Sequence, residues 1–585
     1  MYILGVSCYY HDSAAVLLKD GELIAAAEEE RFTRIKHDYS FPHNAIKFCL
    51  EHAGIKSENL DFVVFHEKPF LKFERIIKTI LATFPKSCNL FKDVAITWLK
   101  SKLWIKSTIA QSLNIPENKI LFSQHHLSHA ASAFFSSPFE EAAILTIDGV
   151  GEWATTTLGI GKTNKITLLN EIMFPHSLGL LYSVFTAFLG FKVNNGEYKV
   201  MGMSAYGKPK HIDKVYQLIE VNDDGSFKLN MKYFSFHYST THSFNRNFIK
   251  LFGTPREREK RFVLDKELFE QNQIPITEEE IKENRYFADI AGSIQKVTED
   301  ILIKIANNLY QKTHLKKLCI SGGVALNCVA NYKILQNTPF TDIYIQPASG
   351  DSGAALGAAL YAWHCLSDKK RAAIISHSYW GKEYSNQEID LFLKKNNIVH
   401  TKLNQNDLIE YIAEKIKNGK IVGWFQGRFE WGPRALGNRS ILADPRNPKM
   451  KQIINTKIKF RESFRPFAPS VLAEHASDFF DIDAIAQQYP AKFMLYTVPS
   501  KRGDLIPAVT HINEMSRIQI VKKEDNPLYY TLIEKFYQKT GIPLLLNTSF
   551  NLKGEPMVNS PKDAYTTFLR SGIDTLVMGN CIIEK

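Results

Sequence analysis

The stretch Ala143-Ile144-Leu145-Thr146-Ile147-Asp148-Gly149-Val150-Gly151 decides the fold class. An apolar strand ends there in a glycine-rich turn, and residues 153–160 read as the return strand. A similar unit occurs at the N-terminus, where strand 2–7 precedes a hairpin of residues 14–18 and 22–27. The connecting Asp20-Gly21 is a strong tight-turn signal. Strand–turn–strand followed by helices, present twice, predicts a duplicated α/β core.

The rest of the chain suggests a large N-terminal domain and a smaller C-terminal one. Residues 284–313 carry apolar side chains at helical spacing, and they lead into a strand, 317–320, that opens into Ser321-Gly322-Gly323. Such strand–glycine–helix junctions present backbone N–H groups to phosphate in α/β folds. We expect domains at 1–366 and 391–585, a linker at 367–390, a helical insertion at about 71–118 and an irregular one at about 210–283.

Composition narrows the class of protein. The 585 residues are 45% hydrophobic and 12% aromatic, which is typical of a globular chain of more than one domain. No apolar run reaches the roughly 18 residues of a spanning helix, and the N-terminus lacks the features of a secretory signal. The seven cysteines are scattered, which predicts a cytoplasmic protein. The net charge of +11 leaves two interpretations, nucleic-acid binding or anionic small substrates.

Two segments concentrate basic residues beside turn-forming ones. Gly432-Pro433-Arg434-Ala435-Leu436-Gly437-Asn438-Arg439-Ser440 is followed by Lys459-Phe460-Arg461-Glu462-Ser463-Phe464-Arg465-Pro466-Phe467. Glycine and proline let the backbone approach a ligand closely, arginine suits bidentate phosphate recognition, and lysine suits a point contact. These segments predict a pocket for a small phosphorylated molecule.

A second constellation has the chemistry of a metal site. His125 and His129 are four residues apart in an alanine-rich helical run, so both can face one ion while His126 points elsewhere. Asp148 and Asp351, each beside glycines, are the candidate carboxylate ligands. The alternative is a pair of histidines that hydrogen-bond to backbone carbonyls.

Further candidates each have an ordinary explanation. Glycine-rich turns at 148–151, 321–323 and 349–353 can hold phosphate or merely close hairpins. His11-Asp12 can be a general base with its orienting carboxylate, or a surface histidine beside a turn. Asn547-Thr548-Ser549, which we expect to follow a strand at 542–546, can grip a ligand or form a turn. Arg517 can clamp a phosphate or lie exposed on a strand.

Together these motifs resemble the NodU/CmcH-type O-carbamoyltransferases over essentially the whole chain. The N-terminal matches are His11-Asp12-Ser13-Ala14-Ala15, residues 28–32, His125–His129 with its intervening residues, residues 148–152, residues 200–207, Ser321-Gly322-Gly323-Val324-Ala325-Leu326-Asn327 and Gly350-Asp351-Ser352-Gly353. The two cationic segments and the segment 547–551 match the C-terminal domain. The resemblance implies an actin-like (ribonuclease-H-like) N-terminal domain and an α+β YrdC-like C-terminal domain.

The resemblance also implies a two-step reaction. Carbamoyl phosphate and ATP, with Mg²⁺, would form carbamoyl adenylate and pyrophosphate in the C-terminal domain. The N-terminal domain would then pass the carbamoyl group to a hydroxyl of a small-molecule or glycan acceptor and release AMP. Such a product belongs to the biosynthesis of a secondary metabolite or a modified glycan. No nucleic-acid or membrane partner is expected, although a membrane-surface role for residues 71–118 is the alternative.

Matching positions carry the family's roles over to this chain. Binding of carbamoyl phosphate and nucleotide phosphates is expected at Arg434, Lys459, Arg465, Arg517 and Ser549, with Asn547, Gly322, Gly323 and Asn327 as further contacts. Arg434 and Lys459 would also act in catalysis. The metal ligands would be His125, His129, Asp351 and Asp148, holding Fe(II) or another divalent ion such as Zn or Mn. His11 would be the base on the acceptor hydroxyl.

One loop departs from the family pattern. Members commonly read His-Val-Asp-Gly-Thr before the clamp arginine, whereas this chain reads His511-Ile512-Asn513-Glu514-Met515. Nucleotide affinity can therefore differ from that of relatives. Two other functions compete with the carbamoyltransferase hypothesis: a tRNA threonylcarbamoyl-type modification enzyme, and a nucleotide-binding regulatory protein without turnover. The sequence names neither the acceptor nor the oligomeric state.

Overall fold

The computed structural model describes residues 1–100, 102–258, 260–264, 276–371, 374–462, 464–483 and 489–585, without the side chains of residues 99 and 100. Parts of the predicted insertions and linker, and Ser463 of the second cationic segment, lie outside these residues. Two units are present. The first comprises Met1–Ile24, Tyr39–Pro42 and Cys49–Ile374, and the second Ala25–Asp38, His43–Phe48 and Ile375–Lys585. The second unit thus includes residues from the region that we assigned to the N-terminal domain.

The strands up to residue 345 form two five-stranded sheets and one small ribbon. They are β1 (Tyr2–Ser7), β2 (Ala14–Lys19), β3 (Glu22–Glu28), β4 (Phe62–Phe65), β5 (Ile120–Phe122), β6 (Glu141–Ile147), β7 (Ala154–Lys162), β8 (Lys165–Met173), β9 (Ile219–Val221), β10 (Phe227–Leu229), β11 (Lys317–Ser321) and β12 (Asp342–Ile345). The sheet orders are β3-β2-β1-β4-β5 and β12-β11-β6-β7-β8, and β9 pairs with β10.

These two sheets have the same topology, which confirms the predicted duplication. In chain order, each runs third, second, first, fourth, fifth. The first and second strands are antiparallel in both sheets, and the fourth and fifth run parallel to the first. The first strand of each sheet is therefore central and buried, as continuous apolar runs such as Ile3–Val6 require.

Helices cover these sheets and connect their strands. They are α1 (Glu30–Thr33), α2 (His43–Ala53), α3 (Pro69–Thr83), α4 (Cys88–Lys100), α5 (Ile105–Leu113), α6 (His125–Phe134), α7 (Leu178–Phe188), α8 (Glu197–Ser204), α9 (Ile212–Tyr216), α10 (Arg246–Phe252), α11 (Glu278–Thr313), α12 (Cys328–Asn337) and α13 (Asp351–Tyr361). The periodic stretch 284–313 lies within α11, as predicted. None of the helices in the described residues is both long and apolar enough to cross a membrane.

Small residues let α6 and α13 pack closely against each other and against β1. A Cβ added to Gly357 would lie 1.7 Å from the Ser128 carbonyl oxygen, and one added to Gly5 would lie 1.9 Å from that of Ala355. Both contacts exclude any side chain larger than hydrogen. The Ala- and Gly-rich sequence of α13 therefore brings its first turn beside the histidines of α6.

The second unit contains a mixed eight-stranded sheet. Its strands are β13 (Thr401–Lys402), β14 (Val422–Phe425), β15 (Arg439–Ala443), β16 (Ala468–Leu472), β19 (Gln519–Val521), β20 (Leu544–Ser549), β21 (Thr575–Met578) and β22 (Cys581–Glu584), in the order β13-β22-β21-β14-β15-β20-β16-β19, and β17 (Thr497–Pro499) pairs separately with β18 (Met515–Arg517). The helices are α14 (Asn386–Lys395), α15 (Gln405–Lys417), α16 (Met450–Ile454), α17 (Ala476–Phe479), α18 (Tyr489–Lys492), α19 (Pro527–Thr540) and α20 (Pro561–Leu569).

One predicted boundary in this unit is wrong. We expected a strand at 542–546 with Asn547-Thr548-Ser549 beyond its end, but these residues are themselves in β20. Asn547 pairs with Leu442 and Ser549 with Ser440 of β15. Local propensity disfavours asparagine in strands, and the ladder to β15 overrides it.

Candidate metal centre and cationic site

Four buried side chains of the first unit converge at the ends of three elements. His125 opens α6 and His129 follows one turn later, Asp148 directly follows β6, and Asp351 opens α13. Their ligand atoms all lie within 4.8 Å of one another. The structure thus brings together the four residues that the sequence nominated as metal ligands, and His126 does point elsewhere, toward Thr146 Oγ1 at 2.6 Å.

The distances within this group suit a single small cation. His125 Nε2 lies 3.0 Å from Asp148 Oδ2, 3.1 Å from His129 Nε2 and 3.7 Å from Asp351 Oδ1. His129 Nε2 lies 3.6 Å from Asp148 Oδ2 and 3.7 Å from Asp351 Oδ1. Ligands about 2.1 Å from a tetrahedral ion would be roughly 3.4 Å apart. Imidazole and carboxylate together fit Fe, Zn or Mn.

The two buried carboxylates of this group also favour the binding of a cation. Burial by itself lowers the pKa of His129, but the neighbouring carboxylates of Asp148 and Asp351 outweigh it and raise that pKa to about 9. Burial acts against ionisation of Asp148, yet His125 and His129 bring its pKa well below its usual range. Both carboxylate oxygens of Asp351 are buried without a hydrogen-bond partner among the described residues. A divalent ion would supply the missing partner and the missing charge.

His11 lies beside this group. Its Nδ1 is 3.0 Å from Asp12 Oδ2, and its Nε2 is 3.7 Å from Asp351 Oδ2. Burial lowers the pKa of His11, but Asp351 and Asp12 outweigh that effect and raise it to about 10. A cation that balances the Asp351 charge would lower this pKa toward the range that a general base needs.

The Gly322-Gly323 turn after β11 holds the Asp148 carboxylate in place. Gly323 N–H donates to Asp148 Oδ1 at 2.9 Å. Gly322 has φ +100°, and a Cβ there would lie 2.1 Å from the Ile147 carbonyl oxygen. Asn327 caps α12, accepting from Ala330 N–H at 3.1 Å. These contacts orient Asp148 and start a helix, and a nucleotide-binding role for Gly322, Gly323 and Asn327 stays a prediction.

Sequence reasoning gave no role to Glu152, although it ends the motif at 148–152. Both of its carboxylate oxygens accept from His125 N–H, at 3.0 and 3.1 Å, and one also accepts from Lys68 N–H at 2.8 Å. The carboxylate therefore caps the N-terminus of α6, where the helix dipole favours negative charge. Its effect is to hold His125 in place.

A buried polar cluster next to the metal ligands was also missed. Glu67 accepts from Lys72 Nζ at 2.5 Å, Lys72 lies 5.0 Å from the Tyr10 ring centroid, and Arg75 donates to the Gly151 carbonyl at 3.0 Å. Burial, followed by the charge of Asp351, raises the pKa of the Tyr10 hydroxyl. Polar residues at the end of β4 were the available sequence signal for this cluster.

In the second unit, one buried carboxylate organises the loop that carries Arg434. Glu430 Oε1 accepts from three backbone N–H groups, those of Leu436 at 2.8 Å, Asn438 at 2.8 Å and Arg439 at 3.1 Å. Three donors on one oxygen hold the loop in a single conformation. The loop was predicted from the sequence, but Glu430 was not recognised as its anchor.

Residues 25–38 hold the start of the same loop. Gly432 N–H donates to Glu28 Oε1 at 2.9 Å, and the Arg31 guanidinium donates to the Gly432 carbonyl at 2.9 Å. The guanidinium also lies 4.8 Å from the Phe429 ring centroid. The Glu28–Arg31 motif therefore belongs to the second unit and positions its arginine loop.

The side chain of Lys459 is almost fully buried. Its ammonium lies in space beside Ser549 and Asn551, at the carboxyl end of β20. Its ammonium donates to Asn551 Oδ1 at 2.9 Å and to Ser549 Oγ at 3.3 Å, as well as to both of these residues' carbonyls. Ser549 pairs with Ser440, next to the arginine loop. The structure thus brings Lys459 and Ser549 together at the edge where that loop meets β15.

The surroundings of Lys459 are cationic. Burial lowers its pKa well below the usual value, and the nearby charges of Arg461, Arg465 and Lys36 lower it further. Lys36, from the segment 25–38, was not singled out in the sequence. Three cations beside a buried ammonium make a strong site for an anion, because a phosphate would relieve their mutual repulsion.

Two further predicted residues of the second unit, Arg517 and Asn547, have surroundings that differ from those of Lys459. Arg517 in β18 lies near His511. Burial of His511, followed by the charges of Lys451 and Arg517, lowers the pKa of His511 to about 3. The Asn547 amide donates to Ala435 O at 3.2 Å and to side chains of β16 and β19. Asn547 thus ties the arginine loop to the sheet.

Comparisons with known proteins identify the family of the chain. Residues 2–360 match the family model described as carbamoyltransferase N-terminus, and residues 413–585 match that described as carbamoyltransferase C-terminus. An uncharacterized protein of Synechocystis sp. is 45% identical over 100% of this chain and 97% of its own length. The nodulation protein NolNO of Sinorhizobium fredii is 36% identical over 99% of this chain and 79% of its own length.

A third relative has a named activity. The 3'-hydroxymethylcephem-O-carbamoyltransferase of Amycolatopsis lactamdurans is 33% identical over 46% of this chain and 49% of its own length. The two family matches together cover most of the chain and both of its units. The chain therefore belongs to the carbamoyltransferase family of the NodU/CmcH type and is a transferase.

Proposed function

We propose that this enzyme makes carbamoyl adenylate from carbamoyl phosphate and ATP and transfers the carbamoyl group to a hydroxyl of a small-molecule or glycan acceptor. The observation that carries the proposal is the presence, in one chain, of a buried cationic cluster around Lys459 and a buried His–Asp cluster around Asp351. The first suits phosphate chemistry, and the second suits a metal-assisted transfer.

The first step belongs to the second unit. Carbamoyl phosphate and water give carbamate and phosphate; a carbamate oxygen then attacks the α-phosphorus of Mg²⁺-bound ATP, and pyrophosphate leaves. Lys459, Arg465 and Arg434 would stabilise charge on the phosphoryl oxygens, with Arg517 as a further clamp. Ser549 and Lys459 share a hydrogen bond at 3.3 Å, so the hydroxyl can fix the direction of the ammonium.

The second step belongs to the first unit. His11 would accept the proton of the acceptor hydroxyl, whose oxygen attacks the carbamoyl carbon, and AMP leaves. Asp12 orients the imidazole through its 3.0 Å contact with Nδ1. His125, His129, Asp148 and Asp351 would hold a divalent metal, which when bound supplies positive charge for the phosphate and the reacting carbonyl.

We also propose an architecture for each unit and a cellular location for the reaction. We assign the duplicated first unit to the actin-like architecture and the second to the YrdC-like one. The proposed domains are 1–366 and 391–585, apart from residues 25–38 and 43–48, which lie in the second unit. The reaction would take place in the cytoplasm. The similarity to a 3'-hydroxymethylcephem-O-carbamoyltransferase supports a hydroxyl-bearing small molecule as the acceptor.

The test needs no acceptor. Purified, metal-replete protein is mixed with ATP, Mg²⁺ and ¹³C-labelled carbamoyl phosphate, pyrophosphate release is followed, and carbamoyl adenylate is sought by mass spectrometry. Arg434→Ala and Lys459→Ala should abolish both signals, whereas Lys457→Ala, an exposed lysine two residues away, should keep them. ATP binding without pyrophosphate or adenylate would overturn the proposal and favour a regulatory nucleotide-binding protein.

A further inference from the structure

The helical hairpin formed by α3 and α4 exposes large apolar side chains. On α3, Phe70 and Leu81 are each 71% exposed; at the connection between the helices, Phe84 is 69% exposed; on α4, Ile96 is 61% and Phe91 52% exposed. Apolar side chains scattered singly need no explanation, but five of this size within 27 residues form a patch.

The hairpin does not need these side chains for its own folding. Its helices pack through a separate apolar cluster of Ile80, Val94 and Trp98, with Phe73 and Leu90 against it. Phe70 and Leu81 are eleven positions apart, which at 3.6 residues per turn puts them on one side of α3, opposite the buried side. Phe70 and Leu81 therefore give α3 a second apolar side.

The same helix is held firmly on its inner side. Lys72 and Arg75 are buried, and they bond to Glu67 and to the Gly151 carbonyl beside the candidate metal ligands. An element anchored at this point presents its outer face in a defined direction. Phe70 and Leu81 are thus exposed on a helix whose inner side is fixed in place.

The charge of this segment indicates what the face binds. Residues 69–106 contain eight lysines and arginines against two acidic residues. Lys72 and Arg75 are buried on the inner side, and without them the segment still has a net charge of +4. A second copy of the same face would bring like charges together, which opposes self-association. An anionic surface would attract it, and the tip residue Lys86 and Lys92 on α4 are exposed beside Phe84 and Phe91.

We propose that the α3–α4 hairpin docks the enzyme onto the surface of an anionic lipid bilayer. Phe84, Phe91 and Leu81 would enter the boundary between headgroups and acyl chains, while Lys86 and Lys92 contact the anionic headgroups. The combination of aromatic and aliphatic side chains with lysines is the one that interfacial helices use. This inference reverses the expectation that no membrane takes part, and it does not depend on the proposed reaction.

Flotation of the full-length protein with lipid vesicles tests this. Vesicles of phosphatidylcholine with phosphatidylglycerol should carry the protein, vesicles of phosphatidylcholine alone should carry far less, and added salt should release it. The variant Phe84→Ser/Phe91→Ser should bind at least about tenfold more weakly. The matched control is Leu391→Ser/Val399→Ser in the second unit, where the two side chains are 69% and 90% exposed, and it should bind like the unaltered protein.

Three outcomes would overturn the proposal. They are absence of flotation with anionic vesicles, equal loss of binding in the control variant, and a concentration-dependent dimer that the Phe84→Ser/Phe91→Ser variant abolishes. Circular dichroism and pyrophosphate release should be the same in this variant and in the unaltered protein, which separates membrane docking from folding and from the proposed chemistry. A Lys86→Glu/Lys92→Glu variant should lose binding to anionic vesicles while keeping the apolar face.

Discussion

The two candidate sites differ in how their charges are balanced. In the first unit, Asp148 and Asp351 face His125 and His129, so opposite partial and full charges meet within 3.0 to 3.7 Å. In the second, Lys459 is buried, and the neighbouring charges that shift its pKa are all cations. The charges of the first site favour a bound cation, and those of the second favour a bound anion. The proposed metal site and the proposed phosphate site therefore share none of these residues.

Removal of one metal ligand is expected to have the largest effect, and to impair the first site while leaving the second unchanged. Asp351→Asn takes away a charged ligand, so we expect metal content to fall to near zero and carbamoyl transfer to drop by about 1000-fold or more. Pyrophosphate release in the second unit should be unchanged. Elemental analysis and the two half-reaction assays measure these effects.

The matched control for Asp351→Asn is His126→Asn, because His126 faces Thr146 rather than the ligands. It should retain its metal. If Asp351→Asn kept full metal occupancy, or lost pyrophosphate release as severely as transfer, the division of labour between the sites would be wrong.

The reciprocal change is Lys459→Met. We expect adenylate formation to fall by about 100- to 1000-fold, because a phosphate contact is lost where charge develops. Metal content should stay at the level of the unaltered protein. Lys457→Met, on the same helical turn, is the control; a lower metal content in Lys459→Met would contradict the comparison.

Binding of anions to the second site should take up protons. In the free protein, burial and then Arg461 and Arg465 lower the pKa of Lys459, and a bound phosphate would raise it again. The neutral Lys459 amine therefore takes up a proton on binding, and affinity should decrease as pH rises through the range between the free and bound pKa values. Titration calorimetry with ATP in buffers of different ionisation enthalpy measures this uptake. Proton release, or unchanged uptake in Lys459→Met, would count against it.

The smallest effect concerns the loop that departs from the family. Glu514 has φ +58°, in the left-handed region, at the position where the family pattern that this sequence resembles has glycine. Glu514→Gly should raise the free energy of unfolding by up to about 1 kcal/mol, because the strain of a side chain there disappears. Denaturant titration measures the change. Asn513→Gly is the comparison: its φ is not positive, so it should stabilise nothing, and equal effects of the two variants would refute the strain.

Much of the first unit could be predicted from local sequence. Strand–turn–strand periodicity predicted the duplicated sheets, and the four-residue spacing of His125 and His129 predicted their shared face, because both patterns depend on neighbours in the chain. The predicted end of the strand before Asn547 was wrong, since its pairing with β15 is a long-range contact that no local signal reports. Glu67, Lys72 and Glu430 were missed for the same reason.

By itself, the sequence determined the α/β class, the candidate ligands and the two cationic segments, because these are properties of residue type and spacing. Only the tertiary structure decided that Asp351 meets His125, that residues 25–38 join the second unit, and that Lys36 lies near Lys459. It also decided which apolar side chains of α3 and α4 face outward. Such facts depend on which buried surfaces pack together, and that is settled by close packing over the whole chain rather than by any single stretch.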